Sequence, residues 1–159
     1  MAITGLNHAV LFVRDAEAAA EFYARAFGFE ELNRPRGMRA IFMRSPDSGN
    51  HHDLGLFEVG PEAARPPRGS TGLYHLAWEI DTIEGLAEMA TSLRGLGALT
   101  GSSDHGVSKS LYGRDPDGNE FEVMWAVPRE AWGRFEDEGV VMPLDLEAEL
   151  KRWGRETPA

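Results

Sequence analysis

Residues 5–10 read GLNHAV, and 67 positions later residues 72–77 read GLYHLA. That return decides the fold, because it carries His8 onto His75 and marks an internal duplication. Taken alone, a histidine leading into Ala9-Val10-Leu11-Phe12-Val13 reads as a core residue inside a first buried strand. Two histidines at the same position of a repeat ask for a shared explanation. Two core imidazoles need two private partners, whereas one metal ion satisfies both.

The correspondence continues downstream. VRDAEAAAEFYARAFGFEE from Val13 parallels EIDTIEGLAEMATSLRGLGA from Glu79. Asp15 and Asp81 stand where helix N-caps belong, and Glu84 lies at capping-box spacing from Asp81. Ala18, Ala19, Phe22, Tyr23 and Ala26 make one apolar face; Ile83, Leu86, Met89, Ala90 and Leu93 make the other. Gly28 and Gly97 fit the helix ends. Three short strand-like runs follow each helix, at 30–33, 39–44 and 53–59, and again at 99–103, 108–114 and 120–126. PRGM at 35, SPDSGN at 45 and DPDGN at 115 supply turns, with Gly118 suited to positive φ.

The prediction is an α+β fold. Two tandem βαβββ modules, 4–60 and 72–126, joined by the linker 60–71, fill residues 1–127. Placed edge to edge they form one curved mixed sheet, with helices outside and a metal-binding cleft inside. Residues 128–159 form a C-terminal extension. Within it PLDLEAELKRW, 143–153, predicts a short helix packing on the domain or on a partner chain.

Composition narrows the chemistry. The chain has 159 residues, 42% of them hydrophobic, enough for a well-formed core. It contains no cysteine, so a metal must be held by nitrogen and oxygen. A net charge of -10 repels phosphate backbones and argues against nucleic acid as a partner. The N-terminus shows no basic region ahead of an apolar stretch, and no apolar run approaches a membrane span. A cytoplasmic protein with no membrane partner is expected, and the acidic helical faces permit a homodimer or higher homo-oligomer.

His8 and His75 are the candidate metal ligands, and a third is expected on a neighbouring strand. NEFEVMW, 119–125, offers Glu120 and Glu122 on one face, with Phe121 and Val123 on the other. Glu122 is preferred because it lies deeper in the strand; Glu120 is the alternative. The position matching Glu122 in the first half is Gly55, which has no side chain to ligate. Two histidines, one carboxylate and open positions match the facial triad of non-haem Fe(II) oxygenases, although manganese or zinc accepts the same atoms. His52, just before Asp53-Leu54-Gly55-Leu56-Phe57, is the candidate acid–base group; His51 reads as a turn residue. His105 and Tyr112 are candidate hydrogen-bond donors to a developing oxyanion.

GLNHAVLFVRD, LYHLAWEI and YGRDPDGNEFEV together resemble the vicinal oxygen chelate superfamily, which includes glyoxalases, bleomycin-binding proteins and extradiol ring-cleaving dioxygenases. The resemblance covers residues 4–126 and is greatest to the extradiol dioxygenases. It implies metal ligation by His8, His75 and Glu122, a second-sphere acid–base role for His52, and site roles for His105 and Tyr112. The implied activity is Fe(II)-dependent cleavage of a small aromatic diol with O2. A divalent-metal lyase or epimerase and a metal-free drug-binding protein are the alternatives the superfamily offers.

Overall fold

Asp15, two residues beyond the first strand, caps the first helix in a computed structural model that describes residues 1–3, 5–65, 67 and 69–154. Thr4, Pro66, Arg68 and residues 155–159, which fall in the expected first module, linker and extension, lie outside the described residues. The chain divides into two units, Met1–Ser70 with Asp115–Gly118, and Thr71–Arg114 with Asn119 onward.

The first unit runs β1 (Ala9–Val13), α1 (Ala16–Phe27), β2 (Glu30–Asn33), β3 (Ala40–Arg44) and β4 (Leu54–Glu58). Its sheet has the order β1-β4-β3-β2, with β1 parallel to β4 and the other pairs antiparallel. The second unit repeats this with β5 (His75–Ile80), α2 (Ile83–Gly95), β6 (Leu99–Asp104), β7 (Ser108–Arg114) and β8 (Glu120–Ala126), in the order β5-β8-β7-β6. The fold is α+β, and the expected mixed sheet takes the form of two sheets of four strands. Even the register is duplicated: Val10 pairs with Gly55 and Ala77 with Glu122, both members shifted by 67.

Alternation builds each core. Phe121, Val123 and Trp125 of β8 are buried, while Glu120, Glu122 and Met124 between them face the other way, half-buried. Leu86 and Leu93 of α2 are fully buried, and each such side chain contributes roughly 2 kcal/mol by leaving water. In the first unit Tyr23 of α1 is buried with Leu54 and Leu56, and its hydroxyl donates to Asp115 Oδ2 at 3.2 Å. Burial, and then the charge of Asp115, pushes the Tyr23 phenol well above its usual range.

Three local expectations are corrected. The first strand begins at Ala9, so His8 precedes it and is exposed rather than buried within it. The ladder sets that start: Ala9 pairs with Leu54, and its N–H donates to the Asp53 carbonyl at 2.9 Å. On α1, Ala18 is exposed while Ala16 and Ala20 are buried, because the apolar stripe centres on Ala19, Tyr23 and Ala26. Asp15 caps α1 as expected, accepting from Glu17 and Ala18 N–H, but α2 is capped by Thr82, whose Oγ1 accepts from Gly85 N–H at 3.1 Å. Asp81 stands one residue outside the cap and accepts from the Thr82 hydroxyl. Gly28, Gly97 and Gly118 all take positive φ.

The extension stays with the second unit. After two 3-10 turns, Met142 forms an antiparallel bridge with Asp104, and a third helix, α3 (Leu146–Trp153), is capped by Asp145. Its Trp153 ring lies 5.9 Å from that of Trp125. No helix among the described residues is long and apolar enough to cross a membrane.

Candidate functional site

Each unit carries one part of the candidate set. In the second unit His75 opens β5 and Glu122 lies in the neighbouring parallel strand β8, two rungs on, since His75 itself pairs with Glu120. Two rungs restore the same face of the sheet, which brings His75 Nε2 to 3.0 Å from Glu122 Oε2. Glu120, the alternative ligand, is instead ion-paired to Arg114 across the β7–β8 hairpin.

A hydrogen-bonded chain continues behind this pair. Tyr112 sits opposite Glu122 in the antiparallel ladder, with its hydroxyl 3.3 Å from Glu122 Oε1. His105, in the β6–β7 turn, places Nε2 2.8 Å from the Tyr112 hydroxyl and Nδ1 2.9 Å from the Val140 carbonyl. Burial raises the Tyr112 pKa and the Glu122 charge adds to it, so the phenol keeps its proton. The His75 ring is flanked by Tyr74 at 4.8 Å and Tyr112 at 5.9 Å. Its Nδ1 is buried and makes no hydrogen bond among the described residues, so what Nε2 binds sets the ring's polar orientation.

In the first unit three imidazoles lie in a row. The His8 and His52 rings are 4.4 Å apart, and His52 Nδ1 is 3.1 Å from His51 Nδ1. His8 Nδ1 is held by the Asn7 side-chain oxygen at 2.9 Å, and the Asn7 amide in turn donates to Asn50. Burial lowers the His52 pKa below the usual imidazole value, and the neighbouring His8 and His51 act in the same direction, against Asp53. Neutral His52 is suited to accept a proton. Asp53 below it is buried; burial opposes its charge, but donors from Ser48, Asn50 and the Ser45 N–H prevail and hold its carboxyl below the usual range.

Sequence reading missed Tyr74, the Asn7–Asn50 pair and the Val140 carbonyl, and it assigned Phe42 to the core. Phe42 pairs with Gly55 as Tyr112 pairs with Glu122, so it is the first unit's counterpart of Tyr112. Its ring lies 4.7 Å from that of His52 and occupies the space above Gly55, where an added Cβ would meet Phe42 Cε1 at 3.0 Å. The signal was hidden because this strand is offset by 70 residues between halves instead of 67.

The donor chemistry of the second-unit pair fits a divalent metal. Two ligand atoms each about 2.1 Å from an ion, at right angles, are about 3 Å apart, and the His75 nitrogen and Glu122 oxygen have that separation. Among the described residues, no group of three or more His, Asp or Glu side chains is gathered in a metal-holding cluster.

Comparison with known proteins identifies the lineage. Residues 5–123 match the family described as Glyoxalase/Bleomycin resistance protein/Dioxygenase superfamily. The chain is 31% identical over 157 residues to catechol-2,3-dioxygenase of Bacillus subtilis (strain 168), covering 96% of this chain and 53% of that protein. It is 31% identical over 130 residues to biphenyl-2,3-diol 1,2-dioxygenase 2 of Rhodococcus globerulus, covering 78% of this chain and 65% of that one. The chain thus spans about half to two thirds of the length of these relatives. In fold it resembles a glyoxylase/bleomycin resistance protein/dioxygenase domain from Frankia sp. EAN1pec, with a TM-score of 0.65 at 23% identity over 79% of this chain and 100% of that one. Its duplicated βαβββ units and the family match over residues 5–123 show that the chain belongs to the glyoxalase/bleomycin resistance protein/dioxygenase superfamily.

Proposed function

We propose that this chain is an extradiol-type dioxygenase that cleaves a small catecholic aromatic with O2, using Fe(II) held by His8, His75 and Glu122. The observation that carries the reading is the His75–Glu122 pair at 3.0 Å, backed by Tyr112 and His105. The dioxygenase names of two relatives at 31% identity support the same chemistry. Fe(II) is the proposed metal; manganese and zinc suit the same donors. When bound, such an ion would supply Lewis acidity toward the adjacent oxygens of a diol and redox chemistry toward O2.

The chain's own groups do the rest. His52, neutral by virtue of its surroundings, takes a phenolic proton from the substrate and returns it later as an acid. Tyr112, kept protonated, offers its hydroxyl as a hydrogen-bonding group beside Glu122, and His105 holds that hydroxyl in place. Phe42, packed over Gly55, gives the first unit an apolar surface next to His52 that suits an aromatic ring.

A lyase or epimerase reading wants a further donor from the first half. Gly55 offers none, and Glu58 is committed to Arg39 and the Ala16 N–H. The proposal also takes the protein to act in the cytoplasm as a homo-oligomer. The test is oxygen uptake by anaerobically iron-loaded protein mixed with a panel of simple catechols. Uptake matched mole for mole by ring-opened product is expected; turnover of a substrate without oxygen consumption, or no spectral change with any catechol, overturns the reading.

A further inference from the structure

His105 rides on the turn between β6 and β7, and the segment that follows β8 grips this turn at several points. Asp104 and Met142 exchange both backbone hydrogen bonds, at 2.8 and 2.9 Å. The Phe135 ring closes on Gly106, which has φ +76, and an added Cβ there would collide with Phe135 Cγ. Only glycine accommodates both that backbone angle and that approach. From α3, Glu149 lies 3.6 Å from the ammonium of buried Lys109, which also binds Asp104 at 2.5 Å. The last grip reaches the imidazole itself, where the Val140 carbonyl lies 2.9 Å from His105 Nδ1.

A carbonyl oxygen only accepts. Nδ1 of His105 must therefore carry a hydrogen, and in the neutral ring Nε2 is left as an acceptor. The Tyr112 hydroxyl then has two acceptors for its one hydrogen, Glu122 Oε1 at 3.3 Å and this nitrogen at 2.8 Å, and the shorter contact takes it. With the other tautomer, Nε2–H would donate to the Tyr112 oxygen and turn the phenolic hydrogen toward Glu122, drawing charge from that carboxylate. Val140 thus decides, through His105 and Tyr112, how much electron density Glu122 has to offer.

We propose that the segment after β8 is a positioning strap: through the Val140 carbonyl it locks His105 in the Nδ1–H tautomer, and through His105 it keeps the Tyr112 proton off Glu122. Its value to catalysis rests on the dioxygenase reading above; the tautomer lock does not.

The test is nitrogen NMR of the histidine rings in the full-length protein, wild type beside Phe135→Ala and Met142→Pro. The first variant removes the ring that closes on Gly106, and the second removes the N–H that bonds Asp104. Phe135 is only half-buried and belongs to neither sheet, so Phe135→Ala leaves the core intact. The wild-type His105 is expected to show the Nδ1–H form alone, with the Nε2–H form growing in both variants. On a catechol, kcat is expected to fall about tenfold, as for a misplaced catalytic group, with KM held, and iron affinity is expected to weaken as Glu122 shares its charge with the Tyr112 proton. A wild-type His105 in the Nε2–H form, or folded variants that keep the Nδ1–H form, overturns the strap. If the tautomer shifts as expected while no catechol is consumed by the wild type, the strap stands and the dioxygenase reading falls.

Discussion

His52 and Tyr112 each stand one contact from a proposed ligand, yet their surroundings prepare them for opposite tasks. Burial lowers the His52 pKa and raises that of Tyr112, so one is a ready base and the other a retained acid. His52→Ala is therefore expected to keep its iron while kcat falls about 10²–10⁴-fold, the usual worth of a positioned general base, as read by metal content and oxygen uptake on one sample. Asp53 makes a separate prediction about stability. Its folded carboxyl lies below the unfolded value of about 3.9, so its contribution is fully present above that pH and is lost as pH falls through the folded pKa. Asp53→Asn turns an amide toward the Ser45 N–H and is expected to cost about 2 kcal/mol near neutral pH. In urea unfolding the gap from wild type should close in acid; a gap that is the same at every pH contradicts this account of Asp53.

At the scale of the element, the cap of α2 gives a direct comparison. Thr82→Ala removes the acceptor for Gly85 N–H and should cost about 1 kcal/mol, whereas Asp81→Ala, one residue outside, should cost little. Equal losses in the two variants would return the cap to Asp81. The same pair shows what sequence discloses. Strand existence, order of elements and both apolar helix faces were legible, because period two and period 3.6 are imposed by burial. Asp81 and Thr82 are both good caps side by side, and only the backbone decides between them. The apolar run Ala9–Val13 draws His8 into β1 on sequence alone, but strand ends follow from pairing, and the ladder starts at Ala9. The equivalence of Phe42 with Tyr112 was hidden by a three-residue change in offset. Val140 was illegible for a deeper reason: it acts through a carbonyl that every residue possesses.

On the scale of the molecule, duplication supplied two copies of one frame, and divergence gave them different contents. The same register position holds Gly55 under an aromatic ring in one unit and Glu122 beside His75 in the other. One unit thus presents a carboxylate beside an imidazole, and the other presents an aromatic ring at the matching register position. The proposed dioxygenase chemistry depends on His8, His75 and Glu122 holding one ion. That requirement is tested most directly by iron stoichiometry after anaerobic loading, with wild type beside His8→Ala, His75→Ala and Glu122→Gln. The account predicts one iron per wild-type chain and affinity weakened by at least about tenfold in every variant. Iron bound as tightly by His8→Ala as by the wild type would contradict it.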